Sequence, residues 1–167
     1  MTIESLNSLN NSEAFKEFEL CCGATNWVKR MVASRPIHSK DVLLKVAEEI
    51  WFSLKSDDWV EAFNHHPKIG DIESLREKFH NTKSISENEQ SGVNDASENT
   101  LKDLAKSNQL YEDKFGFIFI VCATGKSADE MLSLIKMRLN NNAETEMRNA
   151  SNEQNKITQL RLKKLLL

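Results

Sequence analysis

From Ser39 the apolar residues Val42, Leu43, Val46, Ala47, Ile50, Trp51 and Leu54 recur at intervals of three and four. That spacing puts them on one face of an α-helix, with Ser39 placed to cap its start. The same period returns along most of the chain. Only Phe117 to Val121 has the aromatic and β-branched character of a strand. A strand alone leaves its backbone groups without partners, and no second strong candidate exists to pair with it. This restricts the chain to an all-α fold. At 167 residues it is long enough for one compact multi-helix domain covering 1–167.

Further helices follow from the same signals. Ser12 is placed to cap a helix carrying Phe15 and Phe18, and a short helix carries Trp59, Ala62 and Phe63. Pro67 disfavours helix in the residue before it, so this second one should end at or near His66. Leu101, Leu104, Ala105 and Tyr111 mark a helix that stops near Gly116. Ser127 and Glu130 form a capping box ahead of Met131, Leu134, Ile135 and Leu139. A last helix runs from about Glu144 to Leu166, with Met147, Ala150, Ile157, Leu160 and Leu165 on helical spacing. Phe117 to Val121 then reads as a buried extended piece or an unusual helix start. The polar stretch from about Lys83 to Asn99 reads as a surface segment or a loosely formed helix.

Composition narrows the function. The net charge of −3 contains no basic excess, which argues against nucleic acid as a partner. No apolar run approaches the ~20 residues that cross a bilayer. A basic-then-apolar leader and a C-terminal Ser-Lys-Leu are absent, so the cytoplasm is the expected location. Cys21, Cys22 and Cys122 form no Cys-x-x-Cys pair and read as small buried apolar residues. His65 and His66 are adjacent, and neighbours on a helix point about 100° apart. His38 and His80 have no ligand spacing with them, so no metal site is expected.

Three fragments carry candidate chemistry. His66-Pro67-Lys68-Ile69-Gly70 offers an imidazole that titrates near neutrality, followed by a stiffened turn. The plain alternative is a histidine capping a helix end. Ser86-Glu87-Asn88-Glu89-Gln90 offers a carboxylate beside a carboxamide, and is also a capping box with Glu89 reaching back to Ser86. The two uses are compatible, since a helix N-terminus binds polar and anionic groups. Phe115 to Ala123 reads first as core. The functional reading concerns the backbone of Phe119 to Ala123: if not fully helical, its N–H and C=O groups can pair with a polar ring.

In order and combination these fragments resemble the 2-oxo-4-hydroxy-4-carboxy-5-ureidoimidazoline (OHCU) decarboxylases. The matching residues are His66, Pro67 and Gly70; Ser86, Glu89, Gln90 and Gly92; Tyr111, Phe115, Gly116, Phe117 and Phe119; and Leu160-Arg161-Leu162. The likeness covers nearly the whole chain. It departs at Ile118, where many relatives have proline, and in a longer spacing from His66 to Ser86. The resemblance implies an all-helical enzyme, often a homodimer, that needs no cofactor and converts OHCU to (S)-allantoin, completing urate oxidation. His66 would be the acid/base, with Glu89 holding substrate or imidazole. Pro67, Ser86, Glu87, Asn88, Glu89, Gln90, Phe119, Ile120, Val121, Cys122 and Ala123 would line the substrate site. Arg161 and Arg138 are both open as anchors of the substrate carboxylate. Two readings from other classes stand beside this one: a non-catalytic helical interaction module, and a metal-dependent ureide hydrolase.

Overall fold

A computed structural model describes residues 1–66, 72–80 and 93–167. Among them the chain is all-α, with no strand. In order the helices are α1 (Ile3–Ser8), α2 (Asn11–Cys21), α3 (Thr25–Ala33), α4 (Lys40–Phe52), α5 (Ser56–Asn64), α6 (Ile72–His80), α7 (Val93–Phe115), α8 (Ala128–Arg138) and α9 (Ala143–Leu165). By contact they fall into two units.

The first unit holds Met1–His66, Ile120–Cys122 and Met147–Leu167. Here α2 is capped by Asn10, not Ser12. The Asn10 side chain accepts from the Glu13 N–H at 3.0 Å, and Glu13 accepts in return from the Asn10 N–H at 3.1 Å. That reciprocal pair satisfies two N–H groups at once, which Ser12, already inside the first turn, cannot do. Ser39 caps α4 as expected, accepting from Val42 N–H at 3.2 Å. The buried face of α4 is Leu43, Ala47, Ile50 and Trp51, while Val42 stands 40% exposed. Trp27 meets Phe18 edge-on at 6.1 Å and donates its indole N–H to the Ala47 carbonyl at 3.0 Å. Trp51 donates to the Ser151 carbonyl of α9 at 2.9 Å. Both buried indoles thus bury a large ring while keeping the N–H satisfied.

The second unit holds Pro67–Phe119 and Ala123–Glu146. In it α7 packs against both α6 and α8. Gly116, at φ 78°, ends α7 in the left-handed conformation that glycine adopts without penalty. Ser127 and Glu130 cap α8 with both bonds of the box. Arg138 and Glu146 form a buried ion pair, joined by a 2.5 Å bond from the Tyr111 hydroxyl to Glu146. Burial works to raise the Glu146 carboxyl, but hydrogen bonds from Arg138, Asn141 and Tyr111 outweigh it and hold it below the usual carboxylate range.

Two expectations are refined. Residues 117–121 are neither helix nor strand, with a bend at Phe117, so they do not start a helix; Phe117 and Ile120 are buried. On α9 the buried positions within the first unit are Ala150, Ser151, Gln154, Asn155, Thr158 and Leu162; Met147, Ile157, Leu160 and Leu165 are only half-buried. Apolar periodicity missed this face because most of its buried residues are polar.

Candidate active site

Helix α5 stops two residues short of His66. His65 and His66 continue with N–H bonds to the Ala62 and Phe63 carbonyls at 3.2 and 3.1 Å. This tight final turn separates the two rings. His65 lies against Gly23, so closely that a Cβ there would sit 2.2 Å from its Cγ. His66 instead reaches α9, where its Nε2 lies 2.5 Å from Gln154 Oε1. Burial lowers the proton affinity of His66, the Gln154 bond raises it, and the charge of Arg161 and the neighbouring His65 lower it again. The balance leaves the ring below the ordinary histidine value, hence neutral at pH 7.

Arg161 lies about two turns beyond Gln154 on the same helix, and its guanidinium donates to the Cys21 carbonyl at 3.3 Å. Arg138, the other arginine open as an anchor, is 5% exposed and committed to Glu146. Cys21 and Cys22 are buried, and burial pushes their thiols up to about 12 and about 11. Neither is a thiolate nucleophile at neutral pH. Cys122 is half-buried, not the core residue that its type suggested.

The stretch Ile120–Cys122, neither helix nor strand, belongs to the unit of His66. Its Cys122 N–H donates to Glu153 Oε2 at 2.8 Å, and Lys156 donates to the other oxygen at 2.5 Å. Consecutive residues of α9, Glu153 and Gln154, therefore hold the Cys122 backbone and the His66 ring. Val121 is half-buried. Phe119 belongs to the second unit, its ring edge-on to Tyr111 at 5.2 Å and 4.6 Å beneath the Arg138 guanidinium. Ala123, in the same unit, accepts the Lys126 N–H at 3.0 Å in a turn. Pro67, Ser86, Glu87, Asn88, Glu89 and Gln90 lie outside the described residues. Among the described residues no three His, Cys, Asp or Glu side chains gather as metal ligands do.

Sequence reasoning missed Glu153 and Gln154. A signal for Gln154 exists: Ala150, Gln154, Thr158 and Leu162 recur every fourth residue, so a polar pair sits between two apolar members of one stripe.

The OHCU decarboxylase family profile matches residues 7–163. The chain belongs to the OHCU decarboxylase family. It is 40% identical over 152 residues to the uric acid degradation bifunctional protein TTL of Arabidopsis thaliana, covering 89% of this chain and 46% of that one. It is 22% identical over 163 residues to the 2-oxo-4-hydroxy-4-carboxy-5-ureidoimidazoline decarboxylase of Haloferax volcanii, covering 97% and 94%. The chain thus spans less than half of the bifunctional plant relative and nearly all of the archaeal one. Among solved structures, an OHCU decarboxylase crystallised in the presence of (S)-allantoin superposes with a TM-score of 0.71 at 35% identity, over 90% of this chain and 96% of that one. An (S)-allantoin synthase shares the fold, with a TM-score of 0.74 at 17% identity over 100% of this chain and 54% of that one.

Proposed function

We propose that this chain decarboxylates OHCU to (S)-allantoin, the last step of urate oxidation, as one domain over residues 1–167, with no cofactor, in the cytoplasm and as a homodimer. The observation that carries the reading is the half-buried, neutral His66, held by Gln154 with Arg161 acting on it. Family membership supplies the substrate. Among the described residues no helix is long and apolar enough to cross a membrane.

The chemistry suits this arrangement. The substrate carries a carboxylate and a hydroxyl on one ring carbon, next to a C=N bond. As the carboxylate leaves as CO2, its electron pair moves toward that imine and the ring nitrogen takes a proton. The substrate is its own electron sink, so the work usually given to a cofactor is already covered. What remains is to take the hydroxyl proton and deliver a proton to one face of the carbon bearing the ureido group. A neutral imidazole does the first, and its conjugate acid does the second, for a contribution of ~10²–10⁴-fold.

His66 takes the acid/base role, and Arg161 is the better carboxylate anchor because Arg138 is committed to Glu146. The backbone of Ile120 to Cys122, apart from the Cys122 N–H given to Glu153, reads the ring. Glu89 orients substrate or imidazole, and Pro67, Ser86 to Gln90, Phe119 and Ala123 keep the lining role that the resemblance implies. The test generates OHCU in situ from urate with the two preceding enzymes and follows the product by circular dichroism, before and after exhaustive chelation. Optically active (S)-allantoin in both arms is the expected result. Racemic product at saturating enzyme favours the non-catalytic module, and activity lost to chelation and restored by zinc favours the metal hydrolase.

A further inference from the structure

Behind His66 lies a short chain of polar side chains. Gln154 is fully buried. Its Oε1 faces His66 Nε2 at 2.5 Å, and its Nε2 donates to Thr158 Oγ1 at 3.2 Å. Thr158 is buried as well, and its hydroxyl oxygen accepts the amide N–H of Gln154. The amide oxygen is thereby turned toward the imidazole. An amide oxygen only accepts, so the facing ring nitrogen must carry the proton.

We propose that Gln154 is a positioning residue that locks His66 in the Nε2–H tautomer, leaving Nδ1 as the nitrogen that takes the substrate's hydroxyl proton and returns a proton to the product. This rests on His66 being the acid/base. Its logic is that of the orienting groups behind metal-bound and catalytic histidines, where the bond at one ring nitrogen decides the state of the other. A neutral amide suits the position better than a carboxylate. It fixes the ring without adding negative charge that would hold His66 protonated. The groups acting on the imidazole's charge, Arg161 and His65, both work against protonation.

Long-range ¹H–¹⁵N NMR on histidine-labelled protein reads the tautomer directly, above the pH at which His66 titrates. His66→Asn assigns the signals. The expected wild-type spectrum shows Nε2 protonated and Nδ1 bare. Gln154→Leu should give a mixture of tautomers and lower kcat by at least ~10-fold, a part of the ~10²–10⁴-fold that acid/base catalysis contributes, with KM nearly unchanged. Gln154→Glu keeps the acceptor and adds charge. It should retain the Nε2–H tautomer, recover much of the lost kcat, and move the acidic limb of the pH profile upward. An Nδ1–H tautomer in the wild type overturns the proposal, as does a Gln154→Leu protein with unaltered tautomer and kcat. If Gln154→Leu does not fold, the wild-type spectrum and the Gln154→Glu profile still decide. Full turnover by His66→Asn would instead remove the acid/base reading, and the spectrum would still report the tautomer.

Discussion

Replacing Gly23 with alanine tests how firmly the end of α5 is held. The new Cβ would lie 2.2 Å from Cγ, 2.5 Å from Cβ and 2.5 Å from Nδ1 of His65. Carbon atoms in contact rest about 3.5–4.0 Å apart, so the overlap exceeds an ångström. Turning the imidazole cannot relieve it, because His65 Cβ is part of the overlap and moves only with its backbone. Gly23 lies outside the left-handed region, so the whole penalty is steric. Overpacking of this kind costs ~1–3 kcal/mol. For a chain of this length each kcal/mol is worth ~2–4 °C, so Tm should fall by ~2–12 °C. The displaced turn also carries His66 away from Gln154, so turnover should fall in protein that is still folded. Thermal melts and initial rates of (S)-allantoin formation are the assays. A second substitution sharpens the test. His65→Ala keeps the offending Cβ and should restore little, whereas His65→Gly removes all three clashing atoms and should restore both Tm and rate. Wild-type Tm and rate in Gly23→Ala would refute the packing argument. Full rescue by His65→Ala would place the overlap in the ring alone.

His66→Asn should lose several orders of magnitude in turnover with the fold intact, while His65→Asn should cost far less. Because burial lowers the His66 pKa and its neutral form is the base, activity should persist to acid of the ordinary histidine value of 6.5, and an acidic limb above it would contradict this. The same sign makes His66 a source of acid instability: as pH falls below 6.5 the unfolded chain takes up its proton more readily than the folded one. Glu89→Gln should leave Tm nearly unchanged, since glutamine also serves in a capping box, yet reduce turnover by at least ~10-fold, or ~1.4 kcal/mol of barrier. Glu87→Gln is the near-neutral control, and a Glu89→Gln protein of altered stability and full activity would make the motif a cap only. Glu146→Gln strands a buried arginine and should destabilise by ~3–5 kcal/mol at pH 7, read by denaturant titration. The Glu146 carboxyl is held below 4.5, so its contribution is present above that value and lost as pH falls through the lowered one; the two proteins should converge only in that acid range.

What was legible in the sequence was local. Ser39, the Ser127–Glu130 box and Gly116 act within a few residues of themselves, and each marks the helix end it was expected to mark. Asn10 was legible too: Glu13 follows it at the spacing of a capping box, and Ser12 drew the reading only by standing nearer the first apolar residue. His66 could be found because Pro67 follows it in the sequence, which disfavours helix in the residue before it. For Gln154 the sequence shows only its place in the stripe from Ala150 to Leu162; its pairing with His66 was not legible, because that partner is 88 residues away and a buried glutamine counts against a core face in any apolar pattern. The non-helical stretch after Gly116 is held in part by the Glu153 carboxylate, which accepts the Cys122 N–H 31 residues earlier in the chain. Local composition allowed that segment two forms, and a distant side chain helps hold one.

The polar face of α9 bears on how such a chain can diverge. Ser151, Glu153, Gln154, Asn155, Gln159 and Arg161 reach Trp51, Cys122, His66, Glu48, Leu44 and Cys21 respectively. A greasy helix surface can slide or repack and keep much of its contact. A hydrogen-bonded one has a single register, because inserting one residue turns everything beyond it by about 100°. Point substitutions along this face remove only the bonds of one side chain, and at Ser151 not even that, since its backbone carbonyl makes the bond, but a single-residue insertion or deletion near its middle severs several together, the hold on the imidazole among them. Descendants of this sequence are therefore free to vary in length almost anywhere sooner than between Ser151 and Arg161.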